Sequence, residues 1–292
     1  WLSASAASEK LGGAIQQPAL WQPRALRIAP ASLCIARLTA AGADVRLDTP
    51  INELSYEPHA NSGKWHINGH DPFDAVVLAT GADTHSWLPW AGLQLARGQL
   101  TAIAAPKNEP PHCIVGYGGQ LWPVHNGQRW FGSTADREPL HSKLRDIDHA
   151  TNIERLQTAL GNPLSTLSKE LTPIAGNAGI RSKTVDHLPL IGAIPDSTND
   201  DFAQTFPGLF LTAGHGARGI ANSAIGAELL AAQITGTPLP MGADMAQMIA
   251  PLRALQRWRK KAGLSPLAVK PLKTLKNNDN AKQRITLTRN SA

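Results

Sequence analysis

The chain has 292 residues, of which 42% are hydrophobic, and it carries a net charge of +6. This composition provides enough apolar material for a buried core and excludes a disordered protein, and no apolar run approaches the roughly 20 residues of a membrane span. Cys34 and Cys113 lie far apart without a Cys-x-x-Cys pattern, and the histidines form no paired-ligand pattern. The sequence therefore predicts two buried thiols, no disulfide framework and no metal site.

The first predicted elements have the order helix, strand, hairpin and strand. A helix is predicted over residues 31–40, where apolar residues recur at helical spacing, and a short strand over 43–47. A hairpin with strands over 51–56 and 64–67 follows, and then a buried apolar strand over 74–79. This order is typical of the later part of an α/β domain.

The middle of the chain is predicted to form an antiparallel sheet followed by a helix. Apolar and polar residues alternate there between Gly-rich turns, which favours antiparallel strands with one buried face. The strands are predicted over 100–104, 113–116, 121–125 and 129–132. The helix is predicted over 146–160, and its inward residues are predicted to be Ile147, Ile153, Leu156 and Leu160.

A short apolar run over 207–211 leads into a glycine-dense turn over 214–219. The turn opens a helical pattern over 221–235 that stops at Gly236. Glycines let backbone approach a flat or anionic ligand, and a helix N-terminus offers unpaired N–H groups with partial positive charge. The pattern indicates a ligand site, or else a turn that is Gly-rich for steric reasons alone.

The C-terminal end of the chain is strongly basic. From Pro251 onward, every charged residue except Asp279 is basic. Such an end steers a protein toward phosphates, or it is a solubilising tail, and both interpretations stay open. Arg253, Arg257 and Lys261 are spaced by four and would share one face of a helix, whereas the Asn-rich end from Asn277 is expected to be disordered.

Three motifs support a family resemblance. The run from Gly179 to Gly192, with Arg181, Asp186 and Pro189, followed by the Gly-His-Gly turn, resembles the C-terminal signature of the FAD-dependent amine oxidases of the D-amino-acid oxidase type. The segment 74–82 is similar to the second flavin-binding segment of that family, and 97–100 to its crossing into the substrate sheet. The resemblance covers roughly residues 25 to 240. It implies an α/β (α+β) fold, in which an FAD-binding α/β domain is interleaved with an antiparallel-sheet substrate domain.

The resemblance also implies the domain boundaries. The FAD-binding domain would comprise 30–93 and 203–250, the substrate domain 1–29 and 94–202, and the basic tail 251–292. Members of the family begin with a strand, Gly-x-Gly-x-x-Gly and a helix that hold the FAD pyrophosphate, and this sequence has no such motif. We therefore expect the chain to be a C-terminal part of a longer protein, with an FAD-binding domain that is incomplete at its N-terminus.

Within the family, the chain is most similar to the oxidoreductase half of the bifunctional enzymes that make 5-methylaminomethyl-2-thiouridine in the tRNA anticodon. That likeness implies an FAD-dependent oxidoreductase acting on a CH–NH bond, which removes the carboxymethyl group from 5-carboxymethylaminomethyl-2-thiouridine. It also implies a cytoplasmic location, tRNA as a partner through the basic tail, and an upstream methyltransferase domain that uses S-adenosylmethionine. The alternatives are an oxidase of free glycine or D-amino acids, and a non-catalytic remnant that only binds RNA.

Two catalytic residues follow from the resemblance. Arg181 would hold the substrate carboxylate, since a guanidinium fork grips a carboxylate with two parallel hydrogen bonds. The alternative for Arg181 is a structural ion pair with Asp186. His215 would tune the flavin or bind the uridine, and its alternative is a turn histidine bonded to backbone.

The resemblance places FAD against a wider set of residues. The helix that starts near Ile220 would direct its N–H groups at the pyrimidine edge of the flavin, where negative charge appears on reduction. Trp122 and Trp130 in the sheet are interpreted as core or lid residues, or as platforms for base stacking, and Gln120 stands where the family has a tyrosine. The cofactor-binding residues implied are Ile51, Ala79, Thr80, Gly81, Gly98, Gly214, His215, Gly216, Ala217, Arg218, Gly219 and Ile220.

Overall fold

The computed structural model describes residues 1–59, 63–138, 140–160, 171–198, 204–267 and 285–289. The helices are α1 Ala4–Leu11, α2 Pro30–Ala40, α3 Thr84–Trp87, α4 Asp146–Leu160, α5 Gly219–Thr235, α6 Ala243–Ile249 and α7 Leu252–Lys261. The strands are β1 Glu53–Glu57, β2 Lys64–Ile67, β3 Pro72–Phe73, β4 Val76–Leu78, β5 Gln94–Ala104, β6 Val115–Gly116, β7 Gln120–Leu121, β8 Gln128–Gly132, β9 Pro173–Lys183, β10 Leu190–Pro195, β11 Thr205–Ala213 and β12 Ile285–Thr288. Among these described helices, none is both long and apolar enough to cross a membrane.

The chain divides into two compact units. The first comprises Trp1–Leu33 and Ala96–Ile180, and the second comprises Cys34–Leu95 and the described residues from Arg181 onward. The second unit thus includes residues 181–198, which the resemblance assigns to the substrate domain. It also includes residues 251–267, which the resemblance assigns to a separate tail.

The first unit is built on a five-stranded sheet in the order β6-β7-β8-β5-β9. The pairs β6/β7, β7/β8 and β8/β5 are antiparallel, as the alternating pattern predicts. Ile103, Leu121 and Phe131 point to one face of this sheet and pack with Leu11 of α1 and Leu156 of α4. The other face therefore presents the alternate residues of the same strands.

Helix α4 has the predicted bounds, and Ile153, Leu156 and Leu160 pack inward as predicted, but the rest of its buried face differs from the prediction. Ile147, predicted to face inward, is 65% exposed, whereas Asp148 and Asn152 are 2% and 0% exposed. The polar residues turn inward because they complete a hydrogen-bond network around Arg97, whose Nη1 donates to Asp148 Oδ2 at 2.6 Å. Satisfying that buried guanidinium outweighs burying one isoleucine.

The second unit contains a three-stranded sheet in the order β10-β11-β4, in which β11 and β4 are parallel. Leu209 and Leu211 of β11 pack into one apolar cluster, and the intervening Phe210 packs into another with Leu229 and Leu230 of α5. The strand is apolar at successive positions because both of its faces are covered. Helix α5 approaches β10 closely at Gly226, where a Cβ atom would lie 2.8 Å from Ile191 Cδ1.

A second sheet of this unit has the order β12-β1-β2-β3. The antiparallel β1/β2 pair confirms the predicted hairpin. The predicted strand over 43–47 is wrong, since these residues form neither strand nor helix and all are exposed. Residues 285–288 were predicted to be disordered but form β12, which pairs with β1.

The thiols also differ from prediction. Cys34 is exposed and Cys113 is half-buried, and both are free. Cys34 lies on α2, none of whose residues is buried, so the apolar spacing that correctly predicted this helix does not reflect a covered face.

Candidate functional site

The carboxyl ends of β4 and β11 meet at one edge of the three-stranded sheet. The two strands are parallel, with Leu209 opposite Val76 and Leu211 opposite Leu78. Residues 79–81 therefore leave the sheet beside the last residues of β11, Thr212 and Ala213, which lead into the turn at Gly214. In open α/β sheets this edge is where ligands bind.

The backbone beyond β11 has a conformation that favours glycine. Gly214 has φ +69° and Gly216 has φ +58°, both in the left-handed region. A Cβ atom on Gly214 would lie 2.8 Å from Thr184 Cγ2 and 3.0 Å from Leu93 Cδ2. The turn is therefore held close to neighbouring chain, as expected for a backbone that lines a ligand.

Helix α5 begins directly after this turn, at Gly219. The preceding residue, Arg218, makes no side-chain capping hydrogen bond, and no acidic residue lies in the first turn of the helix. The first N–H groups of a helix have no partner within the helix, and they carry partial positive charge. The N-terminus of α5 thus offers donors to a group of negative charge at the sheet edge.

His215 lies between the two glycines. Its Nε2 is 2.8 Å from Oγ1 of Thr212, and its Nδ1 is buried without a hydrogen-bond partner in the described part of the chain. Burial lowers the pKa of His215 below its usual value, so the ring is neutral at pH 7. A buried ring nitrogen without a hydrogen bond costs free energy, so we expect Nδ1 to bind a polar group of a ligand beside the turn.

Strand β9 delivers Arg181 to the same region of the second unit. Lys183 forms an antiparallel bridge with His215, and Arg181 lies two residues earlier, on the same side of the strand as Lys183. Arg181 is exposed. Between the two, Ser182 donates from its hydroxyl to the carbonyl oxygen of Gly81 at 3.2 Å and ties β9 to the turn after β4.

Asp186 has partners from α7. Nε of Arg253 lies 3.1 Å and Nη2 of Arg257 lies 2.6 Å from Asp186 Oδ2, while Nη2 of Arg253 donates to Oδ1 at 3.2 Å. Partial burial raises the pKa of Asp186, but the hydrogen bonds from Arg253 and Arg257 outweigh it and hold the pKa well below its usual range. The alternative role of Arg181, an ion pair with Asp186, would therefore involve a carboxylate that already binds two other guanidinium groups.

Part of the predicted basic tail packs into the second unit. Leu255 and Ala254 of α7 lie in the apolar core of the second unit. Arg259 is 4% exposed, and its Nε donates to the carbonyl oxygen of Ser265 at 2.9 Å. Up to residue 267, the predicted tail is thus a packed part of the fold.

The structure brings together most of the predicted cofactor-binding residues, but not all. Ala79, Thr80 and Gly81 lie beside the turn that carries residues 214–220. Gly98 lies on β5 in the first unit, between the buried Arg97 and Gln99. Ile51 precedes β1, and none of the described contacts joins it to the turn.

Three polar residues of the site were not predicted: Thr212, Ser182 and Thr184. Thr212 positions His215, Ser182 binds the Gly81 carbonyl, and Thr184 packs against Gly214. Their signal in the sequence is only their place next to Arg181 and the Gly-rich turn, because hydroxyl residues are common everywhere.

Comparison with known proteins places these features in a family. Residues 1–233 match the family described as FAD dependent oxidoreductase. The chain is 30% identical over 286 residues to the tRNA 5-methylaminomethyl-2-thiouridine biosynthesis bifunctional protein MnmC of Cupriavidus necator, and 32% identical over 289 residues to the protein of that name from Methylibium petroleiphilum. The matches cover 88% and 89% of this chain but 43% of each relative. The chain thus spans less than half the length of these relatives.

Solved structures share the fold. Glycine oxidase from Geobacillus kaustophilus has a TM-score of 0.66 at 20% identity, over 83% of this chain and 64% of that one. L-Proline dehydrogenase from P. horikoshii has a TM-score of 0.66 at 18% identity, over 90% of this chain and 69% of that one. These similarities confirm the predicted fold class.

Proposed function

This chain belongs to the FAD dependent oxidoreductase family, and on that premise we propose that it oxidises the carboxymethylaminomethyl group of a modified wobble uridine in tRNA. The reaction would remove the carboxymethyl group and leave an aminomethyl uridine. The named relatives make 5-methylaminomethyl-2-thiouridine in tRNA, and such a product is one step from that nucleoside. A tRNA substrate agrees with the predicted cytoplasmic location.

The residues at the sheet edge fit FAD, the cofactor of the family. Gly214 and Gly216 let the backbone lie against a flat ring, the uncapped start of α5 offers N–H donors, and Nδ1 of His215 lacks a partner among the described residues. When bound, FAD would supply the hydride acceptor for oxidation of the carbon beside the amine nitrogen, and hydrolysis of the oxidised amine would release glyoxylate. The chain's own residues must bind and orient the substrate.

Arg181 would bind the carboxylate of the glycine-like group. A guanidinium donates two parallel hydrogen bonds to a carboxylate, which fixes the orientation of the adjoining C–H bond. The observation that carries the proposal is the bridge between Lys183 and His215, because it sets the strand of Arg181 beside the Gly-rich turn. The pairing of Asp186 with Arg253 and Arg257 supports a role for Arg181 other than neutralising Asp186.

His215 would act as a neutral hydrogen-bonding group. The lowered pKa keeps the imidazole uncharged at neutral pH, so Nδ1 can exchange a hydrogen bond with the cofactor or the uracil without introducing a charge. The start of α5 and the exposed Arg218 would supply the positive potential instead.

The basic end of the chain would assist tRNA binding through the residues that the fold leaves in solvent. Lys260 and Lys261 at the end of α7 are exposed, whereas Arg253, Arg257 and Arg259 are engaged within the unit. Each phosphate contact adds to the salt dependence of binding. Exchanging both lysines for glutamine should flatten that dependence, and an unchanged slope would return this end to a solubilising role.

The competing function is oxidation of free glycine or D-amino acids, which would use the same arginine and turn. The experiment offers the FAD-loaded protein either tRNA that carries 5-carboxymethylaminomethyl-2-thiouridine or free glycine, and follows the nucleosides by mass spectrometry and the flavin by absorbance. We expect the modified nucleoside to lose its carboxymethyl group, and kcat/KM for the tRNA to exceed that for glycine. Efficient glycine oxidation with unchanged tRNA would overturn the proposal.

A further inference from the structure

The first unit contains a cleft that plays no part in the site described above. Its walls are the N-terminal segment up to Arg27 and the chain around β6 and β7, and its volume is about 960 Å³. Binding pockets for small molecules measure roughly 300–1,000 Å³. The cleft is therefore large enough for a group much bigger than an amino acid.

The charge of the cleft has one sign. Lys10 and Arg27 contribute positive charge, His112 and His125 are further basic groups, and none of the described residues that line the cleft is acidic. A wall of this kind attracts phosphate groups and other anions. A cationic ligand would find no counter-charge among the described residues that line the cleft.

Aromatic rings accompany the cations. Nζ of Lys10 lies 5.9 Å from the ring centre of Trp21, and Cζ of Arg27 lies 5.9 Å from that of Trp122. Trp21 lines the cleft and is 38% exposed, and Trp122, which directly follows β7, is half-buried. Aromatic faces beside cations are the recognition elements that proteins use for unpaired nucleotides.

Amide and imidazole groups complete the lining. Gln22 and Gln120 carry both donors and acceptors, as the edge of a nucleobase requires. Gln120 is exposed and stands where the family has a tyrosine. The lining thus combines stacking surfaces, phosphate partners and base-edge partners within one unit.

We propose that this cleft holds an unpaired nucleotide of the RNA substrate, with its base stacked on Trp21 and its phosphate bound by Lys10 and Arg27. The inference rests on the proposed function, since it takes tRNA as the substrate. It adds a site for a nucleotide that the oxidation itself does not require. A free modified nucleoside has no neighbouring nucleotide and gains nothing from the cleft.

The test measures binding of a fluorescein-labelled anticodon stem-loop RNA, with an unmodified wobble uridine, to the full chain by fluorescence anisotropy. We expect Trp21→Ala to raise Kd about ten- to hundredfold, because stacking on an aromatic ring contributes this much per base. Trp21→Phe should restore most of the affinity. Arg27→Gln should raise Kd and reduce the log–log salt slope by about 0.7, the value for one single-strand phosphate contact.

Matched controls lie outside the cleft. Trp258→Ala removes a tryptophan of similar exposure, and Arg137→Gln removes an exposed arginine of the same unit. Both should bind the RNA like the parent chain, and thermal melting checks that every variant is folded. If Trp21→Ala binds as tightly as Trp258→Ala, the inference is overturned.

The outcome is separable from that of the proposed function. Binding is measured on unmodified RNA without turnover, so the effect of Trp21→Ala stands or falls whether or not the carboxymethyl group is removed. Conversely, oxidation of the free modified nucleoside by FAD-loaded protein tests the proposed function alone. Trp21→Ala should leave that oxidation rate unchanged, and a loss there would assign Trp21 to the oxidation site instead of an RNA site.

Discussion

Two arginines, one in each unit, lie in segments that resemble the family but have opposite environments. Arg97 is 0% exposed, and it donates to Asp148, to Gln99 and to the carbonyl oxygen of His141. Arg181 is exposed, on a strand that reaches the Gly-rich turn. Arg97 directly precedes Gly98, Arg181 lies two residues after Gly179, and both lie in segments that resemble the family. Arg97 is buried and holds the fold of the first unit together, whereas Arg181 lies at the surface of the second unit.

The two units differ in how their polar groups are paired. In the first unit, Arg145 also binds Asp148 and Asp136, and its hydrogen bonds hold the pKa of Asp148 well below its usual range. These charges satisfy one another in the interior. In the second unit, Nδ1 of His215 is buried with no partner among the described residues, and Arg218 makes no side-chain capping hydrogen bond to α5.

The largest effect is expected from breaking the network of the first unit. Arg97→Leu would leave Asp148 with fewer partners in a buried position, and losing one member of a buried ion pair costs about 3–5 kcal/mol of unfolding free energy. Urea denaturation followed by circular dichroism measures the loss. Arg137→Leu, at an exposed position, is the control and should change stability by less than about 0.5 kcal/mol. Equal stability of the two variants would contradict the structural role of Arg97.

A smaller effect is expected at the turn of the second unit. Gly214→Ala should lower the unfolding free energy by about 1–3 kcal/mol and weaken FAD binding, because of its positive φ and its approach to Thr184. Gly236→Ala is the matched control, since Gly236 has φ +71° with no atom within 4 Å of the added Cβ. Gly236→Ala introduces only the strain of a positive φ, so isothermal titration calorimetry should show an unchanged affinity for FAD. A similar loss of FAD affinity in both variants would show that the turn does not line the cofactor.

The ion pairs of Asp186 should have the smallest effect on stability. Asp186→Asn is expected to cost roughly 1–2 kcal/mol at pH 7, because Asp186 is partly exposed and solvent weakens its pairs with Arg253 and Arg257. Because the pKa of Asp186 is lowered in the folded state, its ion pairs stabilise the fold fully above the ordinary carboxyl pKa of about 3.9. This stabilisation is lost as the pH falls through the pKa of Asp186 in the folded state. Melting curves of parent and variant should therefore converge in strong acid. A difference that persists there would point to packing instead of charge.

Sequence patterns predicted the positions of helices and strands better than they predicted which residues are buried. The helices α2, α4 and α5 and the β1/β2 hairpin have the expected positions, since apolar spacing and turn residues are local signals. Burial depends on what packs above an element, so Ile147 and Cys34 turned out exposed and Asn152 buried. Strands β9 and β10 were not predicted; β9 pairs with β5, which is distant in the sequence, whereas β10 pairs with β11, the next strand in the chain.

The candidate site shows the same difference between local signals and long-range contacts. The Gly-rich turn over 214–219 was predictable, since glycine is favoured at positive φ, and Gly214 and Gly216 have positive φ at the expected edge. The partners of Asp186 were not predictable, because Arg253 and Arg257 are 67 and 71 residues away in the chain. That pairing turned a predicted tail into part of the fold.

The central claim is that Arg181 binds the substrate carboxylate, and a cycle of two changes tests it most directly. Stopped-flow absorbance follows flavin reduction in FAD-loaded parent and Arg181→Lys proteins, each with carboxymethylaminomethyl uridine and with its carbamoylmethyl analogue, in which an amide replaces the carboxylate. We predict that Arg181→Lys lowers kcat/KM for the carboxylate substrate about ten- to hundredfold, a loss of about 1.5–3 kcal/mol, and affects the amide far less. Equal losses for the two substrates, with unchanged flavin content and melting temperature, would contradict the claim.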